Sequence, residues 1–332
     1  MVLLSAEGVS KVFAGLGMFR RTRPVHAVSG VSLTVGRGEA VGLVGESGSG
    51  KSTIGRLVLG MQPPTGGRVL LDGTDIAEPA GRRARRRRMQ LVFQDPYASL
   101  DPRRRIGAQI ADGLAIHRLA PAPERQARVE ALLAQVGLTP AHADRFPREF
   151  SGGQRQRVGL ARALATDPDL LVADEAVSAL DVSVQAQILA LFADLRTRLG
   201  IGLLFISHDL RVVRSLCDRV VVLYLGRVME EGPVREVLDR PRHPYTAALL
   251  AASPSLDPAY RRTRILLQGD PPSPTNPPSG CVFRTRCPIA VAACAGRVPS
   301  LAVVGEGHHA ACLRTDEYPS PLESMLAETQ HY

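Results

Sequence analysis

The chain has 332 residues, 45% hydrophobic and 22% charged, ordinary proportions for a globular protein long enough for more than one domain. No apolar run approaches the roughly 20 residues that a membrane-crossing helix needs, and Met1-Val2-Leu3-Leu4 runs into Ser5-Ala6-Glu7 without a basic start, so neither a span nor a signal peptide is expected and the expected location is the cytoplasm. The net charge of +9 invites nucleic acid, but aromatic residues are only 4% and Trp is absent, which leaves few surfaces on which bases could stack.

In chain order, strands are expected at Val31 to Val35, Ala40 to Val44, Val69 to Leu71 and Met89 to Phe93. Between the second strand and a helix-forming stretch, Ser52 to Leu59, lies Gly45-Glu46-Ser47-Gly48-Ser49-Gly50-Lys51-Ser52-Thr53. Glycines at this spacing let backbone N–H groups converge on phosphate oxygens, and the helix offers its positive end. Lys51 would then reach the outer phosphates and Ser52 would hold Mg²⁺. Gly45, Ser47, Gly48, Gly50, Lys51, Ser52 and Thr53 are therefore candidate nucleotide contacts.

From Pro96 to about Phe150 the pattern turns helical, with Ile106 to Leu119 and Glu124 to Val136 closed by Gly137 and Pro140. Ser151-Gly152-Gly153-Gln154 opens another helix and by itself describes an N-cap and a turn. Leu170 to Ala173 reads as a buried parallel strand, so Asp174 and Glu175 emerge at its carboxyl end, where doubly wound folds place their ligands. A long amphipathic helix is expected over Val182 to Leu199 and a second buried strand over Gly202 to Ile206, with His208 just beyond. Val220 to Tyr224 and Arg227 to Glu230 form a hairpin turned at Leu225-Gly226.

The order of the phosphate loop, Gln94, Ser151-Gly152-Gly153-Gln154, Asp174-Glu175 and His208 resembles the ATP-binding cassette (ABC) family. The resemblance implies an α/β fold, an ABC-type P-loop NTPase with a RecA-like core plus antiparallel-β and helical subdomains. The cassette would occupy residues 1–240, with the helical subdomain at about 96–157. It implies that Asp174 shares the Mg²⁺ shell with Ser52 and Gln94, that Gln94 also touches the attacking water, and that Glu175 orients and polarises that water. His208 would contact the γ-phosphate, and Phe13 would stack on adenine. Ser151, Gly152, Gly153 and Gln154 would act on a nucleotide held by a second protomer, and Asp181 closes the loop that crosses to it. Phe150, where Leu is usual, and Ala176-Val177, where Pro-Thr is frequent, depart from the pattern without removing a ligand.

Two arginine clusters, Arg82 to Arg88 interrupted by Ala84 and Arg103 to Arg105, read as a solvated face or one drawn to anionic lipids. Beyond about Arg240, Pro-Pro-Ser-Pro-Thr-Asn-Pro-Pro at 271–278 reads as a stiff connection. His243-Pro244-Tyr245-Thr246, followed by Leu249-Leu250, resembles a segment of the ATPase subunits of dipeptide, oligopeptide and nickel importers. That resemblance makes residues 241–332 a small cysteine-containing C-terminal extension. Cys281, Cys287, Cys294 and Cys312, spaced C-x5-C-x6-C-x17-C, lack the close pair of structural zinc and match no common ferredoxin spacing. The thiolate count suits a metal site, and the subfamily resemblance implies a [4Fe–4S] cluster. Zinc helped by His308 and His309, or thiols that pack a small lobe, are the alternatives, and Cys217 in an apolar context reads as inert core.

The resulting expectation is an ATP- and Mg²⁺-dependent ATPase subunit of a di/oligopeptide importer, peripheral on the cytoplasmic face of the plasma membrane. Its expected partners are a second ATPase subunit, commonly a paralogue in this subfamily, two transmembrane permeases and an extracytoplasmic substrate-binding protein, with no nucleic acid. The competing class is a soluble ABC ATPase of translation or DNA repair. Those usually carry two cassettes or a long coiled-coil insertion, and neither is legible here. A DNA-binding protein using the arginine run would leave Lys51, Asp174 and Glu175 unexplained.

Overall fold

The computed structural model describes residues 1–15, 22–252 and 269–315. Residues 253–268 and 316–332 of the expected extension lie outside them. In chain order the strands are β1 (Val2–Gly15), β2 (Thr22–Gly36), β3 (Ala40–Val44), β4 (Gly66–Leu71), β5 (Thr74–Asp75), β6 (Met89–Val92), β7 (Leu170–Asp174), β8 (Gly202–Ile206), β9 (Arg219–Tyr224), β10 (Arg227–Pro233), β11 (Ala302–Gly305) and β12 (His308–Ala310). The helices used below are α1 (Lys51–Val58), α2 (Arg82–Arg88), α3 (Pro96–Ser99), α4 (Ile106–Ile116), α5 (Arg125–Gln135), α6 (Gly152–Leu164), α7 (Val182–Leu199), α8 (Leu210–Leu216), α9 (Val234–Asp239) and α10 (Pro244–Ala252).

Strands β2-β1-β4-β5 make one antiparallel sheet. A second sheet runs in the order β11-β12-β10-β9-β3-β8-β7-β6. Its centre, β9-β3-β8-β7-β6, is parallel. Strands β3 and β8 are buried at every position, as continuous apolar runs covered on both faces must be. Their register decides where chemistry happens: Leu43 lies opposite Ile206 and Ile206 opposite Asp174, so three strands end level with one another. The expected helical region packs as α4, α5 and α6 around Ile106, Ile110, Leu114, Val129, Leu133 and Val158, all buried. Each such side chain contributes about 1.5–3 kcal/mol.

Three features differ from expectation. Strand β1 is a long strand that the sequence reading did not pick out; Gly8 and a run of register shifts interrupt its alternation. The arginine run is helix α2 and is only partly solvated. Arg88 pairs with Asp72 and Asp169, while the Arg85 and Arg83 guanidiniums donate to the carbonyls of Glu78 and Ile116. The third difference lies in the extension, whose β12 pairs with β10, Ala310 opposite Glu230 and His309 opposite Glu231, so the segment beyond residue 240 extends the sheet of the core. Tyr245, Cys281, Val282 and Phe283 belong to the same apolar cluster as β9 and α7.

A buried carboxylate anchors this extension. Glu230, fully enclosed, accepts the backbone N–H groups of Arg242 at 2.6 Å and His243 at 3.0 Å, and pairs with His308 Nε2 at 2.7 Å. His308 is thus committed to Glu230, and His309 lies 3.8 Å from Glu231; among the described residues neither belongs to a group placed to hold a metal ion. His243 is also enclosed; its Nδ1 accepts from the Tyr245 N–H at 3.1 Å, and burial pushes its pKa down to about 3.

An imidazole kept neutral in the fold but free to protonate at about 6.5 when unfolded makes the unfolded state bind more protons between those values, so stability falls as pH falls. His243 should cost about 1.4 kcal/mol between pH 7.5 and 5.5. Urea unfolding at both pH values should show this loss in the wild type and a smaller one in His243→Asn; equal losses would remove His243 from the acid sensitivity.

Candidate nucleotide site

The loop from Gly45 to Lys51 joins β3 to α1. Two of its glycines are obligatory. Gly45 has φ 150° and Gly50 φ 104°, and a Cβ at either would fall on a backbone carbonyl oxygen, that of Leu223 and that of Ala27 respectively. Gly50 gives α1 no side-chain cap, so the first N–H groups of the helix face the loop's concavity, an anion-binding geometry. Lys51 is buried and its Nζ donates to the carbonyls of Gly45 and Glu46, each at 2.8 Å, and to Ser49 Oγ at 3.4 Å. Burial lowers its pKa, opposed by the charges of Glu175, Asp174 and Glu46. An incoming anion would relieve that burden.

Across the strand ends, Ser52 Oγ donates to Asp174 Oδ1 at 3.0 Å. Burial raises the Asp174 pKa and the adjacent Glu175 charge adds to this, against the Ser52 hydrogen bond and the charges of Arg56 and Lys51. A hydroxyl and a carboxylate are the hard oxygen donors that suit Mg²⁺, whose charge would reverse the pressure on the carboxylate. Glu175 follows with φ 47°, a left-handed conformation that is costly for a residue with a side chain. Its N–H donates to the Ile206 carbonyl at 3.0 Å, and its carbonyl accepts the Ser178 N–H at 3.1 Å and Oγ at 2.9 Å. This turn lifts the carboxylate off the strand. Gln94 Nε2 then donates to Glu175 Oε2 at 3.0 Å, and His208 Nδ1 stands 3.5 Å from Oε1.

Gln94, Lys51, Ser52, Asp174, Glu175 and His208 are therefore brought to one end of the parallel sheet. Ser47, Gly48 and Thr53 belong to the same loop and helix start, with Gly48 at φ 77°. The other expected contacts lie on separate surfaces. Ser151 is exposed and caps α6, its Oγ accepting the Gln154 N–H at 3.3 Å while the Ser151 N–H donates to Gln154 Oε1 at 3.0 Å. Gly153 is buried against Val184, which a Cβ there would strike, and Gly152 faces Leu180. Asp181 caps α7, accepting from the Val184 N–H at 2.9 Å and Ser183 Oγ at 2.8 Å; these hydrogen bonds hold its pKa low. Phe13 is 37% exposed on β1 with Lys11 Nζ 5.4 Å from its ring centre, so it is no core aromatic.

Sequence reasoning missed two things here: the left-handed turn at Glu175, which has no compositional signal, and the partners of Glu46. An acidic residue inside a loop built for phosphate was the available signal for the latter.

The tail cysteines share one lobe. The Cys281 N–H donates to the Cys294 carbonyl at 2.8 Å, and the charges of Cys312, Cys281 and Cys294 all bear on Cys287, whose thiol burial pushes up to about 12. Burial likewise raises Cys281 and Cys312. Among the described residues no group of three or more His, Cys, Asp or Glu side chains is placed to hold a metal ion. The expected ligation of iron–sulfur by Cys281, Cys287, Cys294 and Cys312 is thus not supported by the placement of these side chains. Cys217 is buried, and burial raises its pKa far, as its reading as inert core implies.

A phosphate loop, a hydroxyl–carboxylate pair and an oriented second carboxylate at the end of a parallel sheet define a nucleoside-triphosphate hydrolase of the P-loop class, with a helical insertion between its β6 and β7 strands. Residues 28–178 match the ABC transporter family, and residues 229–294 match the oligopeptide/dipeptide transporter C-terminal region. A putative peptide import ATP-binding protein of Brucella ovis is 54% identical, covering 94% of this chain and 98% of that protein. The dipeptide transport ATP-binding protein DppF of Escherichia coli is 47% identical over 92% of each chain. Among solved structures, cbiO1 of Clostridium perfringens superposes with a TM-score of 0.63 at 29% identity, covering 72% of this chain and 91% of that one. A dimeric ATP-binding cassette in a post-hydrolysis state with ADP and Pi gives 0.62 at 29%, covering 70% and 99%. The chain belongs to the ABC transporter ATP-binding family, in the branch that carries the oligopeptide/dipeptide C-terminal region, and is an ABC-type ATPase.

Replacing Gly45 by Ala should drive a methyl group into the Leu223 carbonyl and add strain of about 1–3 kcal/mol. Equilibrium titration with ATP should then show binding lost or severely weakened while the far-ultraviolet circular dichroism stays native; unchanged affinity would mean that the loop tolerates a side chain there.

Proposed function

We propose that this chain is the ATP-hydrolysing subunit of an importer for di- or oligopeptides, acting as one of two such domains on the cytoplasmic face of the membrane. The observation that carries the reading is the Glu175 carboxylate, raised at a strand end, bound by Gln94 and flanked by His208, next to the Ser52–Asp174 pair. Peptide cargo is supported by the C-terminal region and by relatives whose names specify peptide or dipeptide transport. Among the described residues no helix is long and apolar enough to cross a membrane, so transmembrane permease subunits would supply the path. An extracytoplasmic binding protein would deliver cargo, and the second ATPase would be another copy or a paralogue.

In this reading the loop N–H groups and Lys51 bind the phosphates, and Phe13 stacks on the adenine. Mg²⁺ held by Ser52, Asp174 and Gln94 would neutralise phosphate charge. Glu175 positions the attacking water and draws on its proton, and His208 donates toward the γ-phosphate; positioning and charge neutralisation supply most of such catalysis. The exposed cap Ser151-Gly152-Gly153-Gln154 and the Asp181 turn face the second protomer, so that closure of the two domains completes each site.

The tail thiols are proposed to hold a [4Fe–4S] cluster, supported by the gathering of four cysteines and by the backbone N–H of Arg314 directed at Cys312 Sγ at 3.4 Å. A cluster with one thiolate on each iron spreads its ligands more widely than a single ion does. Anaerobically purified protein should contain about four irons per chain with acid-labile sulfide; iron-free protein of undiminished stability would leave the thiols as packing.

Glu175→Gln should bind ATP normally and lower hydrolysis in the assembled transporter by at least about a hundredfold, the scale of a lost general base. Near-normal phosphate release would withdraw Glu175 from its role.

A further inference from the structure

We propose that the C-terminal extension is a positioning element of the ATP site, acting through Tyr245 and Arg286 on Glu46 of the phosphate loop. Two independent groups of the extension converge on that one loop residue. The Glu46 backbone N–H donates to Tyr245 Oη at 2.8 Å, and Arg286 NH1 pairs with Glu46 Oε2 at 2.7 Å while lying 3.4 Å from Tyr224 Oη. Both come from buried side chains: Tyr245 is fully enclosed and the Arg286 side chain is 8% exposed. The Tyr245 ring packs against Tyr224 at 4.7 Å and Phe283 at 5.3 Å between centroids, so its hydroxyl has little freedom to leave.

Glu46 in turn bears on Lys51. Its carbonyl receives Lys51 Nζ at 2.8 Å and the Ser49 N–H at 3.2 Å, and its carboxylate is among the charges that oppose desolvation of Lys51. Holding the N–H and the carboxylate of this residue restricts the backbone that presents its carbonyl to Lys51 and Ser49. Arg286 also neutralises the Glu46 charge, which would otherwise repel incoming phosphates.

The second half of the inference concerns the lobe that carries Arg286. Phe283 and Arg286 lie between Cys281 and Cys287 in the chain, with Cys287 directly adjacent to Arg286. The Arg286 N–H is itself held by the Phe283 carbonyl at 3.0 Å and that of Arg284 by the Cys281 carbonyl at 3.1 Å. Packing of the four-cysteine lobe thus sets the reach of Arg286, and loosening the lobe should be felt as weaker nucleotide binding. Tyr245 and Arg286 are positioning residues; neither touches a reacting atom in this account.

The inference rests on the reading of Gly45 to Ser52 as the phosphate loop, and Lys51→Ala separates the two. In equilibrium titrations of the full chain with Mg·ATP, Tyr245→Phe, which keeps the ring, and Arg286→Gln should each weaken binding by about fivefold or more, the lower range of inter-site couplings. Arg286→Gln combined with Glu46→Gln should weaken it no further than either single change, since the pair acts as a unit. In the assembled transporter KM for ATP should rise while kcat stays within about twofold, whereas a purely structural defect would lower kcat with the loss of folded protein. Affinity within twofold of the wild type for both single variants, or additive losses in the double variant, would overturn the inference. Unchanged binding by Lys51→Ala would instead overturn the phosphate-loop reading.

Discussion

Everything in the site depends on the register of three parallel strands. Because Leu43, Ile206 and Asp174 stand level across β3, β8 and β7, the residues that follow each strand emerge side by side: the phosphate loop after β3, His208 after β8 and Glu175 after β7. Gln94 arrives from the neighbouring β6, which is paired to β7 through Val92 and Ala173. Shifting one strand by a single residue would exchange its two faces and displace these groups along the strand by about 3.3 Å, the rise of one residue. The apolar runs of β3 and β8, buried on both faces, hold that register.

On this platform the two protein surfaces around the loop have different tasks. One comes from the chain itself, where the extension joins the sheet through β12, anchors on Glu230 and ends at Glu46. The other is proposed to serve a second chain. Ser151 and Gln154 satisfy each other in a cap at the surface, and Asp181 does the same at the start of α7. Capped helix starts that face outward are suited to an anion brought by another molecule. In the proposed reading these caps act on a nucleotide held by a second chain, and a dimeric cassette is among the structural relatives.

Much of this is legible in the sequence alone. Strands Ala40 to Val44 and Gly202 to Ile206 and the helix Val182 to Leu199 fall where apolar runs and helical spacing place them, because burial on both faces or on one stripe leaves a clear pattern. Gln94, Lys51, Ser52, Asp174, Glu175 and His208 converge as their motif order implied. What was illegible depends on partners distant in sequence. Strand β1 is interrupted by bulges that spoil its alternation, α2 looks like a charge run until Asp72 and Asp169 are placed beside Arg88, and nothing in His308 foretells Glu230. The cysteines illustrate the converse. A count of thiols suggests ligands, and the fold does gather them in one buried lobe, yet among the described residues no group of three or more is placed to hold a single metal ion.

The central claim is that hydrolysis occurs in a site shared between two chains, with Ser151 of one against the γ-phosphate position of the other. The most direct measurement is vanadate-dependent photocleavage of the transporter assembled in lipid, with Mg·ADP and orthovanadate occupying the γ-phosphate position. Scission should occur both in the phosphate loop and at Ser151. Cleavage confined to the phosphate loop would contradict a shared site.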